Sequence, residues 1–511
     1  GIRVEYYYDE VRRPLMCKAV TDELKEGEKE LDHIFARWQY AESLLGRESM
    51  ESLQEKNLLG QVIAVWDTAG KVSTERYDFK GLPLLTERRL TKTYKGMVNW
   101  TEDVLESALD NEVFTGHVEV DALGRTVKEV SPDGTVLSSM FNKGGLMSKT
   151  TVHLSGEASA KEYISGVTYN EKRQLCHMEY GNGIVTDYTY DKLTMMVREV
   201  ESRRANGSLI QHFGYTFDVS GRLSHVQDKS EKVYYHDNKI VSPDSDYTYD
   251  CLGRLVKAEG RENKVAVGRD CYDDFDDKDF MCQLADMDAM TIRPYSEEYS
   301  YDKSGNILTM HHISAGNTWT REYTYATDSN RLLKTQIGDY SYAYKYHPTA
   351  GYMVQMPHLA DIGWNFLEQV ESSTRQVRTD GGTPETTYYQ YDGSGQRIRK
   401  TTVCASDTGE GQVKDERIYI GGYEVYRKHS GAYKGLERVT ISLMAGSSRL
   451  VIIERRNDVD DGTEKKLERY QFANVVGSSV LEIDDRCRVI TKEEYTPYGS
   501  TSYQAHNKAI K

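Results

Sequence analysis

One short unit recurs along this 511-residue chain and constrains its fold more than any other feature. It consists of an aromatic residue or Val, then Asp, two free positions, Gly, and usually a basic or amide residue that leads into apolar alternation. Clear copies carry Asp67 and Gly70, Asp78 and Gly81, Asp121 and Gly124, Asp218 and Gly221, Asp250 and Gly253, Asp302 and Gly305, and Asp392 and Gly395. Weaker copies run from Tyr169-Asn170 to Leu175, from Tyr325 to Leu332, and from Ile483-Asp484 to Ile490, where Cys487 stands in the place of Gly. The unit has the chemistry of a turn. An Asp side chain accepts a hydrogen bond from the backbone N–H two residues on, and Gly adopts the positive φ that closes a hairpin. Ahead of the turn, triplets such as Tyr247-Thr248-Tyr249 and Tyr299-Ser300-Tyr301 place two rings on one face of a strand, because strand side chains alternate. Each unit predicts strand, turn, strand. A lone hairpin is marginal in water, so the units must pair edge to edge, which predicts an all-β fold of hairpins wound into one continuous spiral sheet.

Composition agrees with many half-wet strands. The chain has 38 Tyr against 10 Phe and 5 Trp, and 41 Gly against 9 Pro. A hydrophobic content of 38% is low for one compact globule of this length, so rows of stacked Tyr are expected to replace much of an oily core. The formal charge of -15 argues against a nucleic-acid partner, which would need a basic patch. The 7 cysteines show no CxxC and no regular spacing, which predicts free, mostly buried thiols. No run of about 18 apolar residues is present, so no membrane-spanning segment is expected. The first residues, Gly1 to Glu5, lack the regions of a signal peptide, and the chain reads as a piece of something longer.

The pattern divides the chain into a lead-in, residues 1–56, and a repeat segment, residues 57–511. Within the lead-in, Thr21 to Lys56 carries helix formers with 3.6-type spacing, including Leu31-Asp32-His33-Ile34-Phe35-Ala36-Arg37-Trp38, and predicts a helical segment near the N-terminus. An acidic insertion at about 265–291, with Asp270 to Asp277 and Met287-Asp288-Ala289-Met290, is expected to be a long loop with a short helix.

The recurring Tyr-x-Tyr-Asp-x-x-Gly-Arg/Asn-Leu unit resembles the YD repeats of the Rhs family over about residues 57–511. Closer still, Lys56-Asn57-Leu58-Leu59-Gly60-Gln61, Thr74 to Gly81 and Tyr180-Gly181-Asn182-Gly183 look like the B and C components of Tc (ABC-type) toxin complexes. Phe472 to Ser479 and Glu493-Glu494-Tyr495-Thr496-Pro497-Tyr498-Gly499 look like that family's approach to its Rhs-associated core. The resemblance implies part of a hollow shell that encloses a C-terminal toxin polypeptide, of the same or a companion chain, until delivery. It implies as further partners the remaining shell segments and a translocation or pore component, and a secreted protein. The family's self-cleaving aspartyl core would lie beyond residue 511, so no catalytic residue carries over.

No Gly-rich phosphate loop, HExxH or GxSxG is present, and no cofactor, metal or catalytic site is expected. The 14 Asp and Gly positions of the clear copies are expected to act structurally, as repeat turns. His311 and His312 are adjacent and would point to opposite faces of a strand, which suits structural roles better than a shared metal. The acidic run at Asp270 to Asp279 and the stretch Asn457 to Gly462 both miss the ligand spacing of an EF-hand loop. The sequence therefore predicts a non-catalytic wall that works by enclosure. The alternative is a cell-surface adhesion module resembling the teneurin shell, disfavoured by the lack of a disulfide framework.

Overall fold

The computed structural model describes residues 1–22, 30–236, 238–263, 281–283, 292–446, 448–507 and 510. Strands pair with their chain neighbours into sheets of 23 and 13 strands, flanked by two short two-stranded pairs. The large sheet begins with Ile2–Tyr8 and extends to Tyr340–Ala343. The small sheet takes in the strands from Asp361–Trp364 to Thr501–His506. Pairing is thus interrupted once where a single sheet was expected. The interruption contains Pro348 and Pro357, two of the 9 prolines, and proline cannot donate to a ladder. Within it lie the minor pair Lys345–Tyr346 with Met353–Gln355 and an isolated bridge between Met356 and Leu359. The ladders are antiparallel except where Met281–Gln283, from the acidic insertion, lies parallel to Gln504–His506 at the edge of the small sheet. The rest of that insertion, with its expected helix and its acidic run, lies outside the described residues.

The helical reading of the lead-in needs correction. Asp32–Tyr40 is a strand, and among the described residues of the lead-in helix is limited to a 3-10 turn at Ala41–Leu44 and a short α-helix at Met50–Glu55, while residues 23–29 of the expected helix lie outside the described residues. Tertiary pairing overrides local propensity here. Asp32–Tyr40 is flanked on one side by Pro14–Thr21 and on the other by Val62–Asp67, so its backbone is satisfied only as a strand. The strands of the lead-in therefore enter the same sheet as the repeats that follow.

The two sheets face each other across a shared core. The large sheet contributes Val152, Leu154, Tyr163, Met178, Tyr180 and Ile184, and the small one Ile441, Val451, Ile453, Tyr470, Phe472 and Ile483. Tyr470 stands between Tyr163 and Tyr180, each ring centroid 6.1 Å away. Strand alternation then gives the large sheet two unlike faces. Val167, Met178, Thr186, Ser202 and Gln211 form one cross-strand row turned inward and buried along its whole length. Their chain neighbours Thr168, His177, Asp187, Glu201 and His212 form the next row, on the opposite face, and there charge replaces packing. His177 lies 2.7 Å from Asp187 and 3.3 Å from Glu179, and these carboxylates hold its pKa above the usual imidazole value.

Total exposed area measures how far this departs from a globule. The chain exposes 27475 Å² at a mass of 58.4 kDa. A compact monomer of that mass exposes about 19,000 Å².

Candidate functional site

The repeat turns share one geometry. In the turns at Asp78, Asp121, Asp218, Asp250, Asp302 and Asp392, Oδ1 accepts the backbone N–H groups two and four residues on, at 2.7–3.0 Å. Where Arg follows the glycine, as at Arg125, Arg222 and Arg254, its Nε closes back onto Oδ2. Hydrogen bonds from that fourth residue, Arg125, Arg222, Arg254 or Asn306, hold the carboxyls of Asp121, Asp218, Asp250 and Asp302 below their ordinary value. This contribution is present at neutral pH and lost as pH falls through the depressed values.

The same turn forms where the repeat is hard to read. Asp9 accepts from Val11, Arg13 and the Arg13 side chain, with Arg12 at φ 65 in the glycine position. Asn170, Asn365 and Asp484 do the same around Arg173, Glu368 and Cys487, all at positive φ. A search tied to Gly passes over Asp9 and Asn365, although Tyr8-Asp9 and the following Arg13 carry the rest of the unit.

At Gly253 and Gly305 the backbone sits at φ 85 and 92. Replacing either with Val is expected to cost more than the roughly 1 kcal/mol of a typical substitution, because β-branched residues resist this region. At Gly253 a Cβ would also meet the Arg222 guanidinium at 2.9 Å, whereas Gly305 faces open space. Thermal melts in which both variants match the parent would refute this.

Repeats are held in register by the tyrosine that ends the strand ahead of the turn. Its hydroxyl donates to the first carbonyl of the preceding repeat's return strand: Tyr190 to Leu175, Tyr249 to Leu223, Tyr301 to Leu255, Tyr325 to Ile307, Tyr391 to Val370 and Tyr495 to Ser479. The preceding repeat's arginine often covers that ring, as Arg222 does Tyr249 at 5.0 Å and Arg254 does Tyr301 at 4.8 Å. Tyrosine is used in place of phenylalanine because the hydroxyl sets the register while the ring packs. Tyr249→Phe is expected to lower stability by about 1 kcal/mol in urea titration, while Tyr6→Phe, at an exposed ring, leaves it unchanged.

The turn at Asp67 differs, because it forms the joint between the sheets. Asp67 is buried, and its carboxylate takes both Nη atoms of Arg88 at 2.7 and 2.8 Å. Gly393 of the small sheet donates its N–H to the same carboxylate, and Thr68 donates its hydroxyl to the Tyr391 carbonyl. Farther along, Asn182 donates to the Asp484 carbonyl and Arg204 to that of Cys487. The turn at Asp392 thus does more than reverse the chain.

A cavity of about 550 Å³ lies beside the shared core, walled by Tyr215, Tyr247, Tyr249 and Tyr301 and, across from them, by Val475, Val476 and Tyr498. The cations lining it are matched: Arg261 pairs with Glu494, Lys492 with Glu231 and Arg254 with Asp250. It offers ring faces and hydroxyls, and the lining carboxylates Asp228 and Glu493 accept hydrogen bonds from Ser230 and from Tyr495 and Thr501. Behind its Tyr295 wall lies a buried charge cluster. His312 is sandwiched between Tyr295 and Trp319, at 5.4 and 5.0 Å, with Glu262 3.0 Å from Nε2 and Glu297 3.2 Å from Nδ1. Burial pulls the imidazolium down, but the two carboxylates outweigh it and hold the pKa at about 9. Arg293 completes the cluster at 2.7 Å from Glu262. His311 faces the other way, its Nδ1 2.7 Å from the Thr320 hydroxyl.

Among the described residues, no three His, Cys, Asp or Glu are grouped to hold a metal, and no helix is long and apolar enough to cross a membrane. In the stretch Asn457 to Gly462, Asp460 and Asp461 are taken up by Arg456 and Arg438. Cys17, Cys176, Cys251, Cys404 and Cys487 are free thiols, but against the expectation of mostly buried thiols only Cys17 of these is buried, with Cys251 exposed and the others half-buried.

No family model matches the chain. Toxin subunit YenC1 of Yersinia entomophaga is 25% identical over 515 residues, covering 98% of this chain and 50% of that protein. Toxin subunit YenC2 of the same organism is 26% identical over 477 residues, covering 89% of this chain and 48% of that protein. The chain thus spans about half the length of the curated relatives it matches. The crystal structure of TcdB2-TccC3 matches the fold with a TM-score of 0.85 at 23% identity, over 99% of this chain and 24% of that one. Repeated Asp turns, tyrosine register bonds and this likeness lead to one conclusion: the chain is built of YD-type (Rhs-type) hairpin repeats and resembles the B and C components of Tc toxin complexes.

Proposed function

We propose that this chain is a wall segment of a secreted toxin complex, enclosing and protecting a toxin polypeptide until delivery and catalysing no reaction itself. The observation that carries this reading is the unlike pair of faces on the large sheet, one packed and one open and charged. An open face of paired His, Asp and Glu offers an unfolded polypeptide no greasy patch to grip, so a cargo can be held without being bound. Matches to toxin subunits along nearly the whole chain support the same reading. The clear-copy Asp and Gly positions serve it as structure, spacing the hairpins that make the wall.

The test is protease treatment of the native complex purified from its source, followed by mass spectrometry of the surviving peptides. Non-repeat polypeptide should survive while the shell is folded and disappear once urea opens it. Recovery of repeat-bearing peptides alone would overturn the proposal.

A further inference from the structure

Turn tips in the small sheet plug aromatic surfaces of the large one. Phe366, central in the Asn365 turn, lies 5.4 Å from His33 and 5.8 Å from Phe35, ring to ring. Tyr498, in the Thr496 turn, lies 5.2 Å from the Tyr299 ring, with its hydroxyl 2.8 Å from that of Tyr301. Val475 and Val476, in the Asn474 turn, close the cavity opposite Tyr215 and Tyr247.

The large sheet carries turns of the same kind. Its Asp turns are two strands apart and fall on one rim, spaced about 10 Å. They are stacked: Gln174 donates to the Met195 carbonyl, Arg222 to Asp250 and Arg254 to Asp302. Their central positions hold Phe79, Leu123, Leu193, Val219 and Leu252. Turn centres ordinarily take Gly, Pro, Asn, Asp or Ser. Here Leu193 is 93% exposed, Leu252 74%, and Val219 fully, so three consecutive turns present an uncovered apolar ridge about 20 Å long.

We infer that this rim is a docking edge for the tyrosine-lined face of another YD-repeat sheet, supplied by a companion shell segment. The inference rests on the wall reading above. The aromatic receiver is the one that apolar tips of the same turn find within this chain. Asp218 with Arg222 and Asp250 with Arg254 neutralise each other beside the ridge, so the Val219 and Leu252 turns carry no net charge to seek lipid headgroups or nucleic acid.

Cys251, exposed beside Leu252, is a built-in reporter. Maleimide should label it readily in the isolated chain and at least tenfold more slowly in the native complex. A photo-crosslinking residue at Val219, with the chain assembled into that complex, should capture Tyr-x-Tyr-Asp peptides of the companion. Equal labelling, or cross-links to a second copy of this chain, to non-repeat protein or to lipid, would overturn the inference. Leu193→Asp with Leu252→Asp should keep the parent melting temperature, since these tips touch nothing in the chain, yet assemble at least tenfold more weakly; unchanged assembly would also overturn it. Protected cargo together with freely labelled tips would sink this inference alone, whereas absent cargo with shielded tips would sink only the enclosure reading.

Discussion

Arg88→Met is expected to lower stability by about 3–5 kcal/mol, the cost of stripping one partner from a buried ion pair. The Arg88 and Asp67 side chains are 9% and 5% exposed, so water cannot take over from the missing guanidinium. The carboxylate would keep only the N–H groups of Ala69, Gly70 and Gly393, too few to balance a buried charge. Because Gly393 belongs to the small sheet, the damage should fall on the joint between sheets. Trp100, buried with its indole N–H on the Asp67 carbonyl, reports there by fluorescence during urea unfolding. Adding Asp67→Asn to Arg88→Met should recover part of the loss by removing the stranded charge. A single variant within 1 kcal/mol of the parent would show that the pair does not hold the joint.

The second large effect concerns alkaline pH. The His312 pKa rises from an unfolded value near 6.5 to about 9 in the folded chain. Its stabilisation is therefore fully present below about pH 6.5 and is lost as pH rises through about 9. The shift corresponds to about 3 kcal/mol. Deprotonation leaves Glu262, Glu297 and Arg293 buried with one carboxylate uncompensated, in contact with Tyr295 and, through Glu297, Tyr299. At the entropy change typical of a chain this long, the melting temperature should fall by about 2 °C between pH 7 and pH 10 beyond the change from other groups. His312→Gln should lower stability at pH 7 and abolish that part of the slope. A variant that keeps the parent's full slope would remove His312 as its source.

The turns were legible in the sequence because their chemistry is local: Asp, two residues and Gly suffice to write the hydrogen bonds of the Asp250 turn. The pattern is hidden where a different residue accepts the strained position, as Arg12 does after Asp9, since the Asp-to-Arg13 bonds outweigh the cost of positive φ. Reading Leu31 to Trp38 as helix failed for the opposite reason: helix formers there are overruled by strands on both sides, which spacing alone cannot reveal. The packing of the two sheets on each other rests on contacts across hundreds of residues, such as Asp67 with Gly393. His312 looked like half of an inert pair. Its cluster draws on Glu262 and Glu297, brought together only by cross-strand register.

Electron cryomicroscopy of the native complex would test the enclosing wall most directly. The large sheet should line a lumen, with density there that belongs to no repeat. A solid particle in which other elements cover both faces of that sheet would contradict enclosure.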